Sequence, residues 1–139
     1  MRAFILFALV LSVAGVAAGC SGDINEFPTT PDPVIVTETF TGTINVNGAA
    51  THNVFALATG AVRATLTSLG DNAPSKIGFS MGTLATTGTC SAVLVNDFSV
   101  VNTSLTGTLT TLSGALCVRV YDVGAMTEAA TYTFTVTHP

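Results

Sequence analysis

The chain has 139 residues, of which 48% are hydrophobic and only 9% are charged, and its formal net charge is −4. This length allows one domain of ordinary size. Because the charge is sparse and acidic, the composition argues against a nucleic acid as the partner. Threonine is the dominant polar residue and Gly, Asn, Asp and Ser recur in short clusters, so the composition predicts an all-β protein.

Residues 1–19 have the organisation of a secretory signal peptide. Arg2 supplies the positive charge, an apolar run follows, and small residues end the run. The run is shorter than the ~20 apolar residues of a membrane span, which makes a transmembrane anchor the weaker alternative. Cleavage would leave 120 residues with three basic and eight acidic side chains, a net charge of −5.

The sequence Ala17-Ala18-Gly19-Cys20 resembles the lipobox of bacterial lipoproteins. In that family the cysteine receives a diacylglyceryl group and becomes the N-terminus after cleavage, so the resemblance implies that Cys20 anchors the protein to a membrane. Ser21, directly after the cysteine, suits the outer membrane by resemblance to enterobacterial lipoprotein sorting. Ordinary cleavage is the alternative, and it would release a periplasmic or secreted protein.

Three cysteines in an exported chain leave one without a disulfide partner, and an exposed thiol in an oxidising compartment is a liability. If Cys20 is acylated, Cys90 and Cys117 remain and are predicted to form a disulfide. Closing the loop of ~27 residues between them would stabilise the fold by roughly 3 to 4 kcal/mol. Zinc binding is the competing use of cysteine, but the sequence has no Cys-x-x-Cys or His-rich spacing.

Residues 20–35 contain three prolines and three acidic residues, which predicts an extended tether ahead of a β-domain at 36–139. In that domain apolar and polar side chains alternate with a period of two. Eight strands are predicted, at about 36–46, 52–58, 62–67, 76–84, 90–95, 104–110, 115–121 and 131–137. Short strands separated by regular turn signals indicate an antiparallel two-sheet sandwich, jelly-roll-like or immunoglobulin-like, with a closed barrel as the alternative.

Two of these strands have unusual faces. The strand at 115–121 is bulky on both sides, so it is predicted to lie in the middle of a sheet. The strand at 76–84 places Gly78, Ser80 and Gly82 on one side, which predicts that something packs closely there. These three residues also match the Gly-x-Ser-x-Gly motif of serine hydrolases. That motif lies on a strand-to-helix turn, whereas this match lies within an alternating strand, so hydrolysis is disfavoured.

The remaining polar candidates are weaker. His52 and His138 have no acidic partner at a readable spacing, and we expect both at the surface. Asp71, Asp97 and Asp122 fall in predicted turns and are the candidates for a calcium site, because Ca²⁺ requires several converging oxygen ligands. The alternative is that aspartate and asparagine are simply good turn formers.

Alternating threonines form rows along several strands. The rows are 37/39/41/43, 65/67, 106/108/110 and 131/133/135/137. They would form a surface of hydroxyl and methyl groups suited to glycans, ice or a protein partner. Threonine is also an ordinary residue on the solvent face of a strand, and this β propensity alone accounts for much of the pattern.

Four stretches together resemble the bacterial pre-peptidase C-terminal domain, over about Glu38 to Pro139. They are Phe40–Ile44, Val62–Leu69, Leu116–Gly124 and Tyr132–Val136. The resemblance implies a jelly-roll-like or immunoglobulin-like β-sandwich, of a kind usually appended to secreted proteases and related to collagen-binding modules that can hold calcium. Because no catalytic domain precedes the stretch in this sequence, we expect a stand-alone exported module.

The sequence therefore predicts a non-enzymatic binding module, lipid-anchored at a bacterial envelope or cell surface, whose loops or threonine-rich faces contact a protein or a polysaccharide. A structural subunit is the alternative, because sparse charge and threonine-rich edge strands suit self-association edge to edge. A calcium-dependent matrix or glycan-binding module is the third interpretation.

Overall fold

Eight β-strands follow the alternating segments of the sequence in a computed structural model, which describes residues 31–111 and 115–139. Their bounds are β1 Val36–Ile44, β2 Ala49–Val54, β3 Gly60–Leu69, β4 Ile77–Leu84, β5 Cys90–Ser99, β6 Ser104–Leu109, β7 Leu116–Tyr121 and β8 Ala130–His138. The predicted signal peptide (1–19), Cys20 and most of the predicted tether (20–35) lie outside the described residues. In the described part of the chain, no helix is long and apolar enough to cross a membrane.

The strands form two four-stranded antiparallel sheets. Sheet A has the order β1-β8-β3-β6 and sheet B the order β2-β7-β4-β5. β1 pairs with β8, β2 with β7, β3 with β6 and β4 with β5, as in a long two-stranded ribbon wrapped into a sandwich. The predicted two-sheet sandwich is therefore confirmed, and its strand order is that of a jelly roll. The predicted mid-sheet position of β7 is also confirmed.

The core lies between the inner faces of the two sheets, where the apolar side chains of each alternating pattern meet. Phe134 on β8 is fully buried at its centre. Its ring centroid lies 5.1 Å from that of Phe40, 5.7 Å from that of Phe79 and 5.2 Å from that of His52. Aromatic contacts thus join β8 to β1 within sheet A and to both β4 and β2 of sheet B.

β2 lies earlier in the sequence than predicted. It begins at Ala49 and ends at Val54, so Phe55 and Leu57 are exposed loop residues instead of strand residues. The reason is its pairing with β7: Val54 lies opposite Leu116, the first residue of β7, so the chain beyond Val54 has no strand to pair with.

β5 is longer than predicted and carries two irregularities. The sequence predicts the strand at about 90–95 with Asp97 in the following turn, but β5 continues to Ser99. Its register with β4 shifts twice, because β5 uses one extra residue between Asn96 and Ser99 and another between Ala92 and Leu94. Such bulges bend an edge strand and increase its local twist. A strand break and a bulge share the same turn-forming residues in sequence, and only the pairing distinguishes them.

Candidate functional site

The outer face of sheet B is shaped by the glycines of β4. Ile77, Phe79 and Met81 of β4 are buried in the core, so the alternate residues, Gly78, Ser80 and Gly82, point to the outer face. A Cβ atom at either glycine would collide with a neighbour, which confirms the predicted close packing. The neighbours are parts of β7 and β5, the two strands that flank β4.

The first neighbour is the ring of Tyr121, which lies over Gly78. Its hydroxyl donates a hydrogen bond to Oδ1 of Asp97 on β5, so the side chain spans β4 completely. Burial of the ring, followed by the bond to Asp97 and the negative charge of Asp97, raises the pKa of Tyr121 to about 12. The hydroxyl therefore stays protonated, and remains the donor, throughout the physiological pH range.

The second neighbour crosses β4 at Gly82. The Cys90–Cys117 disulfide joins β5 to β7 with a Cα–Cα distance of 5.8 Å, so the predicted pairing is present. It draws the start of β5 over β4, where the Ser91 carbonyl and the Ala92 backbone occupy the space above Gly82. Two bridges, one hydrogen-bonded and one covalent, thus hold β5 across the glycine positions of β4. A disulfide of this kind indicates an exported protein.

Charged and aromatic side chains gather around the first bridge. Lys76 Nζ lies 4.3 Å from the centroid of the Phe98 ring, and Arg119 Cζ lies 5.6 Å from that of Tyr121. Phe98 is 70% exposed although it is a large apolar residue. Together with Asp97, these residues form what we call the Tyr121 face: Lys76, Asp97, Phe98, Arg119 and Tyr121. A shallow depression opens among Lys76, Asp97, Phe98 and Tyr121.

The Tyr121 face differs in charge from the rest of the protein. Beyond the predicted signal peptide the sequence has three basic residues, and two of them, Lys76 and Arg119, lie here. The third, Arg63, is on sheet A, where it donates a hydrogen bond to Ser104 Oγ at 3.0 Å. The face is therefore a small basic region on an acidic protein. It continues along β5 into the exposed apolar side chains of Val93 and Val95.

A second depression of about 260 Å³ opens between the edge strands β5 and β6. Its floor is apolar, with Val62, Met81, Leu94, Leu109 and Leu116 among the lining residues. None of the described residues that line it is charged. It is a gap between the two sheets at an open edge of the sandwich, and threonines are its polar side chains.

Ser80 does not have the setting of a hydrolase nucleophile. It is 2% exposed and lies within β4, between the two bridges. His52 is on the other side of sheet B, since it lies opposite the core residue Val118. The two glycines of the motif are explained by the Tyr121 ring over Gly78 and the Ser91–Ala92 backbone over Gly82.

The prediction that both histidines lie at the surface is wrong. His52 is half-buried at the inner face, and its Nε2 lies 2.7 Å from the hydroxyl of Tyr132. Burial lowers the pKa of His52 below its ordinary value of 6.5. His138 is 3% exposed, and its Nε2 lies 3.3 Å from Oε1 of Glu38. Each partner is close only because distant strands pair, which no local spacing in the sequence shows.

The three calcium candidates do not come together. Asp71 lies in the turn after β3, as predicted, whereas Asp97 lies in β5 and accepts the Tyr121 hydroxyl. Asp122 is a loop cap. Its oxygens accept backbone N–H groups of Asn47, Gly124, Ala125 and Met126. These hydrogen bonds lower the pKa of the Asp122 carboxyl, and the bond from Asn47 has the largest effect. Within residues 31–111 and 115–139, no three His, Cys, Asp or Glu side chains converge as metal ligands.

The threonine rows of β1 and β8 lie side by side on the outer face of sheet A. Their direct pairs are Thr37 with Thr137, Thr39 with Thr135, Thr41 with Thr133 and Thr43 with Thr131. The Oγ1 atoms of Thr37 and Thr137 are 3.2 Å apart. The predicted hydroxyl and methyl surface therefore exists, and its suitability for glycans or ice stays a prediction.

Sequence reasoning missed Lys76, Phe98 and Arg119 as members of one site. They lie on three different strands or strand ends, and no motif or spacing connects them. The available signal was the pair of glycines in β4, which predicted a close neighbour without identifying it.

No protein-family model matches the chain, and no curated protein matches it either. Among solved structures, the mitogen derived from Yersinia pseudotuberculosis has a similar fold, with a TM-score of 0.57 and 18% identity over 76% of this chain and 88% of that chain. PliG from Aeromonas hydrophila, a periplasmic lysozyme inhibitor of g-type lysozyme, gives a TM-score of 0.53 and 17% identity over 73% and 84%. At these identities the likeness is one of fold, and the resemblance to the pre-peptidase C-terminal domain stays a prediction.

Proposed function

We propose that this protein is a non-enzymatic, exported binding module that docks a protein partner on the Tyr121 face. The observation that carries the proposal is the exposed Phe98 ring, set beside a basic side chain on a surface that two bridges hold in place. Aromatic residues and arginine are enriched at the energetic centres of protein interfaces. Phe98, Tyr121 and Arg119 supply these residue types within one face.

Rigidity supports the same function. A surface that is ordered before binding loses less conformational entropy when its partner arrives. Tyr121 is fixed by Asp97, and β5 is tied to β7 through Cys90 and Cys117. The contact surface is thus preorganised, as a binding surface requires.

The charge of the face indicates the kind of partner. Lys76 and Arg119 favour an acidic protein surface, with an apolar recess for Phe98 at its centre. Electrostatic complementarity of this type speeds association and selects partners more than it adds affinity. Binding should therefore weaken with rising ionic strength, chiefly through a lower association rate.

The membrane anchor belongs to the same proposal. Acylation of Cys20 would hold the domain at the outer membrane or cell surface, with the proline-containing tether at 20–35 as a spacer. Mass spectrometry of the protein extracted from membranes tests this directly. The N-terminal peptide should begin at Cys20 and carry acyl chains, and an unmodified Cys20 would contradict the anchor without affecting the Tyr121 face.

The partner can be found and verified in two steps. A photoreactive amino acid at Val95, beside the face on β5, should cross-link the partner in intact cells. The same amino acid at Thr67, on sheet A, should not. G-type lysozyme is a further macromolecule to titrate, because a protein of similar fold inhibits it.

Titration of the purified partner then decides the proposal. Phe98→Ala should weaken binding about 30-fold or more, the effect of losing an interface hot spot of about 2 kcal/mol. Phe55→Ala is the matched control, because Phe55 is 63% exposed and lies outside the face. Arg119→Ala should slow association, whereas Arg63→Ala should not. Equal effects of the Phe98 and Phe55 variants, or cross-linking from Thr67 alone, would refute the proposal.

A further inference from the structure

β1 is an edge strand that has neither a bulge nor a proline to keep it from pairing with another chain. It lies at the end of sheet A, and its nine residues pair with β8 without a register shift. β5, the long edge strand of sheet B, is instead bulged at two places. Bulges, charges and prolines are the devices that keep sheet edges from associating. Val36–Ile44 contains no proline, and its backbone is regular throughout.

The single charge of β1 is turned away from the exposed row. Glu38 alternates with the outward threonines, and its carboxylate lies against His138 at 3.3 Å. The outward row of β1 is thus uncharged, with Thr37, Thr39, Thr41 and Thr43 all exposed. A neighbouring strand would meet only hydroxyl and methyl groups there.

Apolar side chains extend the free edge beyond the sheet. Val34 is 80% exposed, and Ile35 and Val36 are also exposed. Val36 lies opposite His138, so the position across from Ile35 would be that of Pro139. Pro139 has no backbone N–H and cannot extend the ladder. Within residues 31–111 and 115–139, Val34 and Ile35 are therefore exposed β-branched residues that pair with no strand.

We propose that β1 pairs antiparallel with β1 of a second copy of this chain, about a two-fold axis at Thr39. The two copies of sheet A then form one continuous sheet. The same surface is used on both molecules, as in most dimers of identical chains. In the outward row, threonines of one copy lie opposite threonines of the other, as they already do between β1 and β8. No like charges oppose each other in this outward row, and the exposed Val34 to Val36 run of each copy gains a neighbouring strand.

This interface is independent of the Tyr121 face, because it uses the opposite sheet. Its failure would leave the proposed binding function untouched, and the reverse also holds. A dimer would present two Tyr121 faces, so that one assembly could engage two partner molecules.

Cysteine cross-linking of the full exported chain, extracted from membranes in detergent, tests the pairing. Thr39→Cys should form a covalent dimer on a non-reducing gel, because residues near the two-fold axis meet their own counterparts. Thr135→Cys is the control: it lies opposite Thr39 on β8, on the same face but one strand inside the edge. The dimer fraction should be at least about tenfold higher for Thr39→Cys, since cysteines whose Cα atoms are more than ~7 Å apart cannot bridge.

A charge placed on the edge gives the second measurement. Thr39→Lys should convert the dimer to a monomer in sedimentation equilibrium, because two lysines would oppose each other near the axis. Thr135→Lys should remain dimeric. Circular dichroism should show the same β content for both variants, as expected for substitutions at outward-facing positions. A monomeric wild-type chain, or equal cross-linking from Thr39 and Thr135, would overturn the proposal.

Discussion

Replacing Cys90 and Cys117 together by alanine removes the covalent bridge that carries β5 across β4. The two cysteines are 27 positions apart. The chain-entropy treatment of a loop of this size gives a loss of roughly 3.5 kcal/mol in the free energy of unfolding. For a domain of about 100 residues, with an unfolding entropy of about 2.1 cal/mol/K per residue, this corresponds to a fall in Tm of about 17 °C.

Urea unfolding followed by circular dichroism measures the loss, with the wild-type protein before and after reduction as the internal comparison. Alanine at both positions keeps the buried site of Cys117 apolar, so the cross-link is the main group removed. Hydrogen exchange should show the local part of the effect, with faster exchange in β5 than in β1. A loss below about 1 kcal/mol, or equal protection of β5 and β1, would refute the role assigned to the bridge.

Three further substitutions test other parts of the structure. Gly78→Ala should lower the free energy of unfolding by about 2 kcal/mol, because its Cβ needs the space of the Tyr121 ring. The same loss in a Tyr121→Ala background would contradict that cause. His52 makes stability depend on pH: its pKa is lowered in the folded state, so the unfolded chain takes up a proton first as the pH falls. The contribution of His52 to the free energy of unfolding is then fully present above about pH 6.5. Below that pH it decreases by no more than ~1.4 kcal/mol per pH unit, and it becomes constant once the pH is below the folded-state pKa. Urea midpoints between about pH 5 and 8 measure this, and His52→Asn should reduce the slope. Phe134→Ala should lower the free energy of unfolding by about 3 to 5 kcal/mol, because it removes the ring at the centre of the core. In differential scanning calorimetry, the Tm should change very little for the exposed Phe55→Ala. Similar losses in Tm for both variants would contradict the central position of Phe134 in the core.

Much of the sandwich could be predicted, because alternation of residue types along a strand shows which side chains share a face. The alternation of β7 predicts Val118 and Arg119 on opposite faces, and in the structure Val118 is buried and Arg119 is exposed. The Asn47-Gly48 turn is also local: Asn47 has a positive φ of 56°, and the Gly48 N–H bonds to the carbonyl of Asn45 at 2.8 Å. Cysteine parity, together with the lipobox-like setting of Cys20, identified Cys90 and Cys117 as partners without any geometry.

The candidate site was largely beyond the reach of the sequence. Tyr121, Asp97 and Phe98 belong to strands that do not lie next to each other along the chain, and only the order β7-β4-β5 brings them onto one face. The same limit applies to His138, whose burial depends on the pairing of β8 with β1. Their surroundings follow from contacts between segments tens of residues apart.

The amino-acid sequence by itself determined the all-β class, the approximate strand positions, which side chains share a face along most strands and the identity of the two bridged cysteines. Each of these follows from a period of two, a turn residue or a count, which are properties of neighbouring residues. Only the tertiary structure decided which strands pair, where β5 bulges and what lies above Gly78 and Gly82. The physical reason is that strand alternation specifies the face of a residue but not its neighbour, because register is set by the joint packing of the whole sheet.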